Sequence, residues 1–133
     1  MTGRFREARG FTLIELMVVM TIIVTLATIG LVQYRQSVQF ARESVLKDDL
    51  FKMRDAIDQY YADKNQYPPT LDDLVSSGYL RALPKDPITN STSSWQTVPS
   101  EADPNNPSLA PGVGDVKSGA EQTAMDGSHY SDW

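Results

Sequence analysis

Apolar residues form one nearly unbroken block in this chain. Phe11 to Val32 reads FTLIELMVVMTIIVTLATIGLV, apolar on every side of any helix it forms. As a helix this block is about 33 Å long, enough to cross a hydrocarbon core of about 30 Å. A buried helix of a soluble domain is the alternative. The rest of the chain is too small and polar to surround it. From Gln33 to Lys64 helix-compatible sequence continues, with no internal Pro or Gly. Leu46, Leu50, Met53, Ile57 and Tyr60 recur there at steps of four, three, four and three, which is one narrow stripe. Lys47, Asp48, Lys52, Asp55 and Asp63 lie off it. The pattern predicts one helix over 11–64, about 80 Å long, apolar in its first half and amphipathic in its second.

Punctuation then changes. Tyr67-Pro68-Pro69-Thr70 ends the helix, because proline cannot continue it and restricts the residue before it. Thr70 can cap a short helix over Leu71–Ser77, with Asp72 and Asp73 in its first turn and Gly78 after its end. Leu80 and Leu83 return apolar groups to the core. Two short strands are expected, around Trp95–Val98 and Val113–Lys117, with Trp95 and Val98 covering the helix. Ser100 to Pro111 is a loop. Tyr130 and Trp133 are aromatic plugs for the last segment. The expected class is α+β: a long N-terminal helix with a small antiparallel sheet and loops on its second half.

Charge adds direction. The formal net charge is -5, yet Arg4, Arg6 and Arg9 outweigh Glu7 before the apolar block. The acidic excess therefore falls on the remainder. The positive-inside rule places residues 1–10 in the cytoplasm and the acidic part across the membrane. An acidic bulk argues against nucleic-acid binding, which needs clustered positive charge. With no cysteine, there is no disulfide, thiolate metal site or cysteine nucleophile. The sole histidine, His129, has no nucleophile or carboxylate pair at a recognisable spacing, so no enzyme is expected.

Glu15 is the one charge in the apolar block. A carboxylate there costs several kcal/mol, about 2.5 to 3.5 on insertion scales, so it is either near the interface or awaiting a cation. A small residue, Gly10, stands before the block, where a secretory signal would have its cleavage site after it. A cut behind Gly10 removes the basic leader, keeps the anchor and gives Phe11 a free amine. Glu15 lies one helical turn further on. The amine of one copy could then meet the carboxylate of another and set the stagger between apolar rods.

Arg9-Gly10-Phe11-Thr12-Leu13-Ile14-Glu15-Leu16 resembles the leader and cleavage motif of type IV pilins and of the pseudopilins of type II secretion. Asp58 to Pro68, DQYYADKNQYP, and Leu80 to Pro87, LRALPKDP, are similar to segments of G-type major pseudopilins. The resemblance implies cleavage between Gly10 and Phe11 by a prepilin peptidase, N-methylation of Phe11 and an assembly role for Glu15. It implies a cleaved leader (1–10), a transmembrane and filament-core helix (11–32) and a periplasmic or extracellular head (33–133). The partners implied are further copies of the chain, minor pilins or pseudopilins, an inner-membrane assembly platform and, before assembly, membrane lipid. The protein is then stored in a bacterial inner membrane and added to a periplasmic or surface filament. Many relatives carry proline where Val32 stands; only Gly30 is offered here, which removes the ground for a proline kink.

Oxygen-bearing side chains are dense near the end: Asp115, Ser118, Glu121, Asp126 and Asp132. Hard cations favour such ligands, Ca²⁺ with six to eight oxygens above all. G-type pseudopilins have a similar stretch that forms a calcium loop, with aspartate where Glu121 stands. A solvated acidic loop closed by its own hydrogen bonds is the other reading of the same residues. For the whole chain, a secretion pseudopilin is the expected function. A type IV or minor pilin of a surface filament is the neighbouring reading, which genome neighbours would separate. A pilin-anchored monomeric binding protein is a third, and predicts no self-association.

Overall fold

A computed structural model of the chain describes Gly3 and residues 10–133. Arg4, Arg6, Glu7 and Arg9 of the expected leader lie outside the described residues. The elements are α1 (Leu13–Lys64), α2 (Leu71–Ser76), β1 (Gln96–Pro99), β2 (Val113–Lys117) and a 3₁₀ turn (Tyr130–Asp132). This is the α+β arrangement of a long N-terminal helix and a two-stranded antiparallel sheet. The chain divides into two compact units, Met1–Val38 and Gln39–Trp133.

In the first unit every residue from Leu13 to Ser37 is exposed, and none of the apolar span is buried within the protein. The span is long and apolar enough to cross a membrane. Its three threonines satisfy themselves. The hydroxyls of Thr21, Thr25 and Thr28 each donate at 2.8 Å to the carbonyl four residues earlier. A hydroxyl so engaged leaves little polarity for an apolar medium to accommodate. The helix runs unbroken through Gly30 and Val32, since Val32 has the N–H that proline would lack.

The second unit packs around the expected stripe. Leu46, Leu50, Met53, Ile57 and Tyr60 are buried, joined by Leu71, Leu74, Trp95, Val113, Val116, Ala120 and Tyr130. Leu80 and Leu83 are partly buried against this cluster. α1 ends at Lys64, as expected, ahead of the Tyr67-Pro68 punctuation. Asn65 takes a left-handed conformation (φ 52°) and its N–H closes onto Tyr61 O at 2.8 Å, a terminator that Asn tolerates. α2 begins where the Asp73 carboxylate accepts the Thr70 N–H and hydroxyl. It ends at Ser76, with Gly78 at φ 84° behind it.

β1 and β2 pair Gln96↔Lys117, Thr97↔Val116, Val98↔Asp115 and Pro99↔Val113, which leaves a bulge at Gly114. A side chain at Gly114 would meet the Ser100 backbone, with a Cβ only 2.8 Å from its Cα. One expectation fails in this sheet. Trp95 is buried and its indole N–H donates to Pro84 O at 2.8 Å, but Val98 is exposed. Residues three apart in extended chain point to opposite faces, so the two cannot both cover α1.

Candidate assembly site

At the start of α1, Phe11 is 91% exposed and Gly10 is exposed before it. Glu15 lies in the first turn. Its Oε2 accepts the Thr12 N–H at 3.1 Å, and the Thr12 hydroxyl accepts the Glu15 N–H at 3.2 Å. This reciprocal pair is a capping box, which satisfies two of the amides a helix start leaves open. The sequence carries its signature, Thr-x-x-Glu, at Thr12 and Glu15. The box does two things. It starts the helix immediately after the Gly10–Phe11 junction, and it holds the carboxylate at the positive end of the helix dipole. Oε1 is left without a hydrogen bond among the described residues. A carboxylate so placed can meet a cation from outside the chain.

The oxygen-rich 115–133 segment is fastened by side chains from elsewhere in the second unit and by its own turns. Asp115 Oδ1 accepts Arg54 Nε at 2.8 Å and the Val116 N–H at 2.8 Å. Arg54 Nη2 donates further to Val116 O at 3.0 Å and to Trp133 O at 2.6 Å. Ser118 is fully buried and its hydroxyl donates to Asp86 Oδ2 at 2.6 Å. Asp126 Oδ1 accepts the Ser128 N–H and hydroxyl at 2.9 and 2.6 Å, which holds its carboxyl below the usual range. Glu121 and Asp132 are exposed. Among the described residues no three carboxylates or imidazoles converge on a metal position. As arranged, Asp115, Ser118 and Asp126 are engaged by Arg54, Asp86 and Ser128, and Glu121 and Asp132 are exposed. The Arg54 guanidinium ties the two ends of the segment together, at Asp115 and Val116 and at Trp133.

Three buried or half-buried polar residues carry this segment and were not singled out by pattern. Glu43 Oε1 accepts the Tyr130 hydroxyl at 2.8 Å and the Met125 N–H at 2.9 Å. Asp86 is fully buried and accepts the Ile88 N–H at 2.8 Å as well as Ser118. Arg54 is the third. Glu43 lies three residues before Leu46 on the same helical face, which is the signal that marks it. The aromatic plugs are in place: Tyr130 is buried, Trp133 partly so, and their rings meet edge to face at 5.1 Å. His129 is exposed and pairs with Thr123 in an isolated bridge.

Residues 5–31 match the family model described as the prokaryotic N-terminal methylation motif. The chain is 36% identical to the type II secretion system core protein G of Pseudomonas aeruginosa, over 64% of this chain and 71% of that one. It is 33% identical to that of Aeromonas hydrophila, again over 64% and 71%. It is 35% identical to that of Klebsiella pneumoniae, over 62% and 70%. No solved structure matches significantly. The agreement covers the motif around Gly10 and Glu15 and extends well into the second unit, and on it the chain belongs to the type II secretion system core protein G family.

Proposed function

We propose that this chain is a major pseudopilin: a membrane-anchored precursor, cut between Gly10 and Phe11, methylated at Phe11 and added to the filament of a type II secretion system. One observation carries the reading. The exposed apolar part of α1 in the first unit has a single carboxylate, Glu15, one turn beyond the Gly10–Phe11 junction. An apolar rod of this length needs lipid or other such rods around it. A carboxylate in that setting needs a cation.

Cleavage supplies one. The bond broken is the Gly10–Phe11 peptide, and the new Phe11 amine is protonated at neutral pH. Methylation leaves it basic. Within one copy, Glu15 Oε2 stays engaged with Thr12. The amine of an incoming copy can pair with the free oxygen, so that pairing fixes the axial stagger of otherwise featureless rods. The basic leader stands on the cytoplasmic side and the acidic second unit across the membrane. A prepilin peptidase, the inner-membrane assembly platform, minor pseudopilins and further copies of the chain are the partners. It acts as a structural subunit.

Intact-mass measurement of the protein from cells with and without the prepilin peptidase tests this. The expected product begins at Phe11 and is one methyl group heavier than the bare sequence, only when the peptidase is present. A retained leader, or a cut beyond Val32, overturns the reading.

A further inference from the structure

Two phenylalanines interrupt the polar outer face of α1 in the second unit. Phe40 is 64% exposed and Phe51 69%. They are eleven residues apart, which is three helical turns plus about 20°, so they share one line of the helix about 16 Å apart. Beside that line stand Ser44, Lys47, Asp48 and Asp55, all exposed. Val45 is half exposed on a different line of the helix, and Tyr61 is stacked on Tyr67. A single exposed phenylalanine is ordinary. Two on one line of a polar face form a ridge that no other described residue covers.

The relief and charge around the ridge narrow what can cover it. A cleft of about 460 Å³ flanks Phe51 on the side of Lys47, Arg54, Asp126 and Trp133. Another of about 250 Å³ flanks it on the side of Asp55, Gln59, Tyr79 and Arg81. A ridge between two grooves is the surface against which helices pack. Charge is balanced locally. Lys52 pairs with Asp48 at 2.8 Å and Arg54 with Asp115. Lys47 shares its cleft with Asp126, and Arg81 shares the other with Asp55. Such a surface selects neither an acidic nor a basic partner, and it does not repel a copy of itself.

We propose that α1 of a second copy of this chain packs along the line of Phe40 and Phe51. The inference rests on the filament reading above and carries the contact between copies from the apolar half of α1 into its amphipathic half. The spacing commits it to a second copy. Counting back from Phe40 by eleven gives Ile29 and then Val18, both exposed and both in the apolar block. The sequence thus continues, into a stretch otherwise polar on its outer face, the apolar line that other copies cover in a filament. The partner called for is a helix with apolar residues on show, and α1 of this chain is one. Copies inserted in one membrane share one orientation, so the contact is head to tail and propagates without closing.

A benzophenone amino acid placed at position 51, and separately at position 40, tests the contact in the full chain in cells that process it. Irradiation should give a ladder of multimers beyond the dimer, and mass spectrometry should place the adducts in α1 of the second copy. Adducts only to lipid, to another protein or to segments outside α1 overturn the contact. Separately, Phe40→Ser/Phe51→Ser should lower filament yield roughly tenfold, and Phe40→Leu/Phe51→Leu should keep it. Both side chains stand outside the core, so the melting temperature of the detergent-solubilised chain should not move. A lower melting temperature in the serine pair would assign the two rings to the fold of one copy and overturn the proposal. Filaments that form normally and give no adduct at either position overturn this contact and leave the filament reading standing. A processed wild-type protein that forms no filament at all overturns both.

Discussion

Glu15 combines two roles that one substitution can separate. Its carboxylate closes a capping box with Thr12, and glutamine does this nearly as well as glutamate. Glutamine cannot pair with a protonated amine. Glu15→Gln should therefore keep α1 intact by circular dichroism in detergent and still fail to assemble. Normal filaments from Glu15→Gln would reduce the residue to a helix cap. A second residue-scale case is Ser118. Its hydroxyl is one of few donors to the fully buried Asp86 carboxylate, so Ser118→Ala should cost about 2 kcal/mol in urea unfolding. Tyr130 gives a pH dependence. Burial holds its phenol above the ordinary tyrosine value; Glu43 acts in the same direction and the Gln39 hydrogen bond opposes it. The folded unit thus retains that proton longer than the unfolded chain. The resulting stability is fully present below about pH 10, the unfolded value, and is lost as pH rises through the higher folded value. Urea midpoints of fragment 39–133 should fall at the alkaline end, and less steeply in Tyr130→Phe. Equal slopes would remove Tyr130 from the explanation.

At the scale of elements, the 115–133 segment has little regular structure and is held by side chains from elsewhere. Arg54 bridges Asp115, Val116 O and Trp133 O, Glu43 holds Met125 and Tyr130, and Asp86 holds Ser118. If these side chains alone hold the segment, a chelator should leave the melting temperature of fragment 39–133 unchanged. Arg54→Met should lower stability by about 1–2 kcal/mol; the Asp115 pair is half exposed and contributes the smaller share. A clear fall in melting temperature on chelation would mean that these oxygens rearrange around a cation. Gly119 belongs to the same element. A Cβ there would drive into the Ser94 carbonyl, so Gly119→Ala should destabilise the segment although the residue is not fully buried.

For the whole molecule, the two units make opposite demands. The second has its own buried core, and fragment 39–133 should melt cooperatively and sediment as a monomer. The full chain should require detergent or lipid, since its first unit exposes its apolar surface on every side. Insolubility of the fragment would place part of its core in the first unit or in another copy.

Periodicity and composition alone determined the long helix, its division into an apolar and an amphipathic half, the α2 and sheet positions and the Gly10–Phe11–Glu15 constellation. All of these rest on local signals: residue spacing along one helix, proline and glycine punctuation, and a single charge in an apolar run. The capping box was equally local and legible as Thr-x-x-Glu. Only the tertiary structure decided the partners of the oxygen-rich segment. Asp115, Ser118 and Asp126 look alike as ligand types along the chain. They differ because Arg54, Asp86 and Ser128 reach them, and two of those partners are more than thirty residues away. The same holds for Val98, whose strand face was set by pairing with β2 rather than by its hydrophobicity. A list of residues states which groups could bind a cation or cover a core. Which of them do so depends on long-range contacts, and those exist only once the chain has packed.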